Sequence, residues 1–126
     1  MSVPSDRKYS ETHEWFMVEG DVVTMGITQY AADELTDITY VDLPDVGASV
    51  AAGEPIGEVE SVKATSDVYC AVTGEVVETN NELADHPEIL NEDAFDRGWL
   101  LRIRADSLKP LNKLMDAREY EAHTAL

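Results

Sequence analysis

Apolar and polar residues alternate with a period of two through most of the chain, and the period lengthens only near its end. "HEWFMVEGDVVTMGIT" predicts a β-hairpin, with Glu19-Gly20-Asp21 as the turn and Val23, Met25 and Ile27 on one face. "TQYAADEL" predicts a brief helix with Thr28 as its N-cap. "DITYVDL" returns to strand, placing Ile38, Tyr40 and Asp42 opposite Thr39, Val41 and Leu43, until Pro44 stops it. Short β segments then follow, punctuated by Gly47, Gly53, Gly57 and Gly74, which read as turn or bulge residues. Such spacing predicts a compact sandwich or barrel.

"NNELADHPEILNEDAFDRG" is a longer connection with a helical turn before Pro87. "WLLRIR" predicts a strand with Trp99, Leu101 and Ile103 inward and Arg102 and Arg104 outward. Trp15 and Trp99 both read as core anchors. "SLKPLNKLM" carries only a weak helical pattern interrupted by proline. In "DAREYEAHTAL", Asp116 as N-cap and Glu119 three residues later form a capping box. The order predicts one β-rich α+β domain over residues 1–126, its core at about 9–105 and a helical segment at about 106–126.

Charge narrows the function. The 126-residue chain has 26 acidic against 9 basic residues, a formal charge of −17, which opposes phosphate binding and so argues against nucleic-acid partners. It favours partners with basic docking surfaces. No apolar run approaches the length of a membrane span. "MSVPSDRKYS" has neither an apolar core region nor an Arg-rich amphipathic pattern, so a cytoplasmic location is expected. Cys70 is the one cysteine, and within "DVYCAV" it reads as a small buried hydrophobe. His13, His86 and His123 are isolated from one another, so no metal site is expected; His13 reads as a hydrogen-bonded structural residue. No nucleophile–base pair or phosphate loop is visible among the scattered carboxylates, which leaves a hydrolase with paired carboxylates as the weaker reading.

One lysine stands apart. Of four lysines, Lys63 alone lies between Lys8 and Lys109, ten residues after Gly53 and eleven before Gly74. The β-like arms on either side predict a hairpin with Lys63 near its tip, projecting into solvent. Val62-Lys63-Ala64-Thr65 has no Asn, Asp or Gly to ease a tight turn, so the flanking strands must impose it. From spacing alone, an ordinary solvated lysine is the simpler reading.

The chain resembles the glycine cleavage H-protein family. "YSETHEWF", "EGDVVTMGITQYAADEL", "DITYVDLPDVG", "VAAGEPIGEVESVKATSDVY", "VTGEVVETNNEL", "LNEDAFDRGWLLRI" and "AREY" match the family's blocks in order, from about Tyr9 to Tyr120. "ESVKATSD" is the most specific of them, and Val62 and Ala64 flank the lysine where biotin carriers typically place methionines. Cys70 stands where the family commonly has serine.

The resemblance implies a barrel-sandwich hybrid fold like that of lipoyl and biotinyl carriers, with short helices and a C-terminal helix. It implies lipoic acid joined through an amide to Lys63, with Glu60, Ser61 and Asp67 recognised by a lipoate ligase or lipoyltransferase. It further implies a non-catalytic, monomeric carrier serving three enzymes of glycine cleavage. These are a pyridoxal-phosphate glycine decarboxylase (P protein), a tetrahydrofolate-dependent aminomethyltransferase (T protein) and a flavin-dependent dihydrolipoyl dehydrogenase (L protein). "SETHEW" is similar to the family segment lining a cleft for the loaded arm, which makes Thr12, Glu14 and Asp67 its candidate residues. The location would be the bacterial-type cytoplasm, or the mitochondrial matrix if the chain is a processed form. A lipoyl carrier or donor outside glycine cleavage needs the same lysine and stays open.

Overall fold

The computed structural model describes residues 3–124. Among the described residues, nine strands build two antiparallel sheets. The larger has the order β1 (Lys8–Tyr9), β2 (Glu14–Glu19), β3 (Val22–Ile27), β9 (Leu101–Ala105), β8 (Gly74–Thr79), β5 (Ser49–Val50). The smaller runs β4 (Ile38–Asp42), β6 (Pro55–Ser61), β7 (Thr65–Tyr69). The described residues also form four short helices, α1 (Gln29–Leu35), α2 (Glu82–Asp85), α3 (Ile89–Glu92) and α4 (Ala117–Thr124), with a 3₁₀ turn at Lys109–Lys113.

The sheets pack through the apolar face each presents. Val23, Met25, Val76 and Ile103 from the larger meet Ile38, Val41, Val59 and Val68 from the smaller in one buried core. A second cluster, Tyr9, Trp15 and Tyr120, lies behind the larger sheet. Strand β2 therefore buries Phe16 on one side and Trp15 on the other, and β3 is buried from Val23 to Ile27. Simple alternation between core and water fails here because both faces are covered.

The first hairpin closes tightly, with Glu19 paired to Val22 and Gly20 at φ 65° in the connection. Thr28 caps α1 by accepting the Ala31 N–H at 3.2 Å. The Asp116–Glu119 capping box forms in both directions, at 3.0 and 2.8 Å, and the last two residues of the predicted helix lie outside the described residues. The turn predicted before Pro87 is present as α2, and α3 follows it.

Two expectations need correction. In β4, Ile38 and Val41 are the buried pair while Thr39 and Tyr40 are exposed, because a bulge between Ile38 and Tyr40 shifts the facing by one residue. Trp99 does not point into the main core. It is half-buried against the second cluster, with the Arg102 guanidinium stacked 4.3 Å from its ring centre, and Leu100 takes the buried place. Gly57 shows why a β6 bulge needs glycine: a Cβ there would lie 2.1 Å from the Asp42 carbonyl oxygen.

Candidate functional site

Strands β6 and β7 form the hairpin predicted around Lys63. Their last pair is Glu60 with Thr65, leaving Ser61 to Ala64 to turn the chain. The turn chemistry missing from the central turn residues comes from a side chain. The Ser61 hydroxyl oxygen accepts the N–H groups of Lys63 at 3.3 Å and Ala64 at 3.1 Å, while the Ser61 N–H donates to the Ala64 carbonyl at 2.8 Å. Val62 and Lys63 are exposed, and Lys63 makes no ion pair among the described residues. An exposed, unpaired amine at a fixed tip is what amide formation with a carboxylic acid requires.

Glu60 and Asp67 flank that tip on one outer face. Glu58 pairs with Asp67 and Glu60 with Thr65, and the period of two keeps all four on the same side of the hairpin. Glu60 is half-buried and Asp67 exposed.

About 13 Å below the start of β7, by the rise of the four residues from Thr65 to Tyr69, a cleft of about 580 Å³ opens at the foot of the hairpin. Ser10, Thr12 and Glu14 line one wall, and Tyr69, Cys70 and Ala71 another. Pro110, Leu114 and Met115 from the 3₁₀ region close the third. Asp67 does not line this cleft, so of the three arm-cleft candidates the structure brings together only Thr12 and Glu14.

Glu14 is no surface carboxylate: it is 2% exposed. Its Oε1 accepts the Ser10 hydroxyl at 2.5 Å and the Thr12 hydroxyl, and its Oε2 accepts the Tyr69 N–H at 3.2 Å. No cation pairs with it among the described residues. Burial raises its pKa above the ordinary carboxylate value, opposed by the hydrogen bonds from Ser10, Thr12 and Tyr69. Lys113 also lines the cleft, but it is exposed and makes no ion pair among the described residues, so an apolar cleft holding a buried, unpaired carboxylate suits a cationic amine on an apolar stem.

Sequence reasoning missed the cleft's second and third walls. Tyr69, Ala71, Pro110, Leu114 and Met115 are distant in sequence, and nothing in their spacing joins them. Ser10 carried a signal: hydroxyls four and two residues before Glu14 can both reach back to its carboxylate. Cys70 is buried with its thiol bonded to the Val72 carbonyl at 3.0 Å, and burial raises its pKa, as suits an inert core residue.

Two packed antiparallel sheets, with an exposed lysine at the tip of a hairpin, define a lipoyl-carrier-like barrel-sandwich. The glycine cleavage H-protein family model matches residues 7–125. A glycine cleavage system H protein of Acinetobacter baumannii is 49% identical over 97% of this chain and 98% of its own. One from Geobacillus kaustophilus is 47% identical over 97% and 96%. The crystal structure of a glycine cleavage system H protein from Mycobacterium marinum superposes with a TM-score of 0.90 at 37% identity, covering 98% of this chain and all of the other. The chain belongs to the glycine cleavage H-protein family.

Proposed function

We propose that this chain is the lipoyl-lysine carrier of glycine cleavage, a single carrier domain over residues 1–126 with Lys63 as its attachment site. The observation that carries the reading is the exposed Lys63 held at the β6–β7 tip by the Ser61 turn. When bound, lipoic acid supplies a dithiolane able to accept an aminomethyl group and electrons. The protein's own residues present it and perform no catalysis.

The cargo passes from glycine decarboxylase to the aminomethyltransferase, and electrons pass to dihydrolipoyl dehydrogenase. Glu60, Ser61 and Asp67 are the handles for the lipoate ligase or lipoyltransferase. Ser61 acts by holding the turn, and Glu60 and Asp67 act as carboxylates on the outer face. Thr12 and Glu14 receive the amine end of the arm, and the apolar walls around Leu114 and Met115 cover its stem. The carrier works as a monomer in the cytoplasm. The family membership supports glycine cleavage over a lipoate-donor role outside it.

Peptide mass mapping after expression with lipoate tests the attachment. The adduct is expected on the peptide containing "SVKATSD", with Lys63→Arg folded and unmodified. An adduct on Lys109 or Lys113, or one that survives Lys63→Arg, overturns the assignment.

A further inference from the structure

The wall carrying Glu14 is gripped from behind. His13 lies between Thr12 and Glu14 with φ 72°, a left-handed conformation uncommon outside glycine. That backbone is braced by the His13 N–H to the Ser10 carbonyl at 3.1 Å and the Thr28 N–H to the His13 carbonyl at 2.9 Å. The imidazole lies 4.7 Å from the Tyr30 ring of α1, and its Nδ1 is 2.7 Å from the Tyr120 hydroxyl on α4. That hydroxyl is also 2.7 Å from Thr28 Oγ1, the cap of α1, and the Tyr120 ring stacks on Tyr9 at 4.8 Å. One phenol thus joins the C-terminal helix, the α1 cap and the cleft loop.

We infer that Tyr120 and His13 are positioning residues, a latch that fixes the loop from which Ser10 and Thr12 present their hydroxyls to Glu14. The strained His13 backbone persists only while something holds it, and Tyr120 reaches it from 107 residues away in sequence. Buried at 1% exposure, the phenol has its pKa pushed up to about 12, so it keeps its proton and remains a donor throughout the working range. Burial, then the neighbouring His123, lower the pKa of His13, with Glu34 opposing. That favours the neutral ring, whose Nδ1 accepts the Tyr120 proton. The consequence for the arm rests on the cleft reading above, but the latch itself does not.

The test is a cycle in the unlipoylated protein: Tyr120→Phe, which keeps the stacked ring, His13→Gly, which keeps the left-handed backbone, and the pair. Carboxyl carbon NMR follows the Glu14 titration. Each single change should shift the midpoint, because a loosened loop withdraws the Ser10 and Thr12 hydroxyls that lower it and admits water against the burial that raises it, and the pair should move it no further. An unchanged midpoint in both single variants overturns the latch even where melting temperature falls, and so does an additive pair. If Tyr120→Phe does not fold, His13→Gly alone carries the same readout.

In loaded protein, ammonia release roughly three- to tenfold faster, the net worth of about one hydrogen bond, supports latch and cleft together. A shifted Glu14 midpoint with unchanged release supports the latch and overturns the cleft reading.

Discussion

The Ser61 hydroxyl accepts the Ala64 N–H at 3.1 Å, and this short bridge closes the turn that carries Lys63. The remaining turn residues offer no side-chain bond of this kind. Ser61→Ala should therefore cost only about 0.5 kcal/mol of global stability, since the bond is at the surface. It should nonetheless slow lipoylation, because the tip loses its fixed shape. Urea unfolding alongside a ligase time course checks both, and an unchanged lipoylation rate would leave Ser61 without a role at the tip.

Glu14 gives a pH dependence of definite sign. Burial raises its pKa, so the native state binds a proton more readily than the unfolded chain does. The stabilisation from that proton is fully present below the ordinary glutamate value and is lost as pH rises through the raised folded value. Glu14→Gln cannot titrate there. The stability of wild type relative to Glu14→Gln should therefore fall as pH climbs from about 4. Urea midpoints of the two proteins across pH 4 to about 8 measure it, and a constant difference contradicts the expectation.

Gly26 makes room for Trp15. A Cβ there would lie 2.8 Å from the indole, which is itself anchored by its N–H to the Ala94 carbonyl at 3.0 Å. Gly26→Ala should cost about 1–3 kcal/mol by overpacking, read as a lower urea midpoint with an unchanged slope.

The −17 charge makes docking with a basic partner surface depend on salt. Turnover with glycine decarboxylase should weaken as ionic strength rises, mainly through slower association. Turnover indifferent to salt would assign docking to apolar contacts.

Much of this molecule was legible in its sequence. Thr28, Asp116 and Glu119 announced their caps because capping is local chemistry. The β6–β7 hairpin was legible from its arms, though Ser61's part in the turn was not, since turn preferences emphasise the central residues. Tyr40 and Trp99 were misplaced: an extra residue in β4 opposite β6 turned Tyr40 outward, and Trp99 lies under the Arg102 guanidinium while Leu100 takes the core. Glu14 was named from the resemblance, but its burial depends on Tyr69 and on the Leu114 region, which approach only in the folded chain. Tyr120's reach to His13 left no mark in any local pattern.

The β6–β7 hairpin carries Lys63 at one end, and the residues at its other end, Tyr69 and Cys70, form a wall of the cleft. It is therefore a ruler with fixed gradations. Where no bulge absorbs it, one residue added to each arm would turn Glu60 and Asp67 to the opposite face, so a regular lengthening that keeps their facing comes in residue pairs, about 7 Å at a time. A cofactor arm shorter or longer by a carbon or two is thus poorly matched by regular strand lengthening, and a bulge or the side chains lining the cleft must tune the fit.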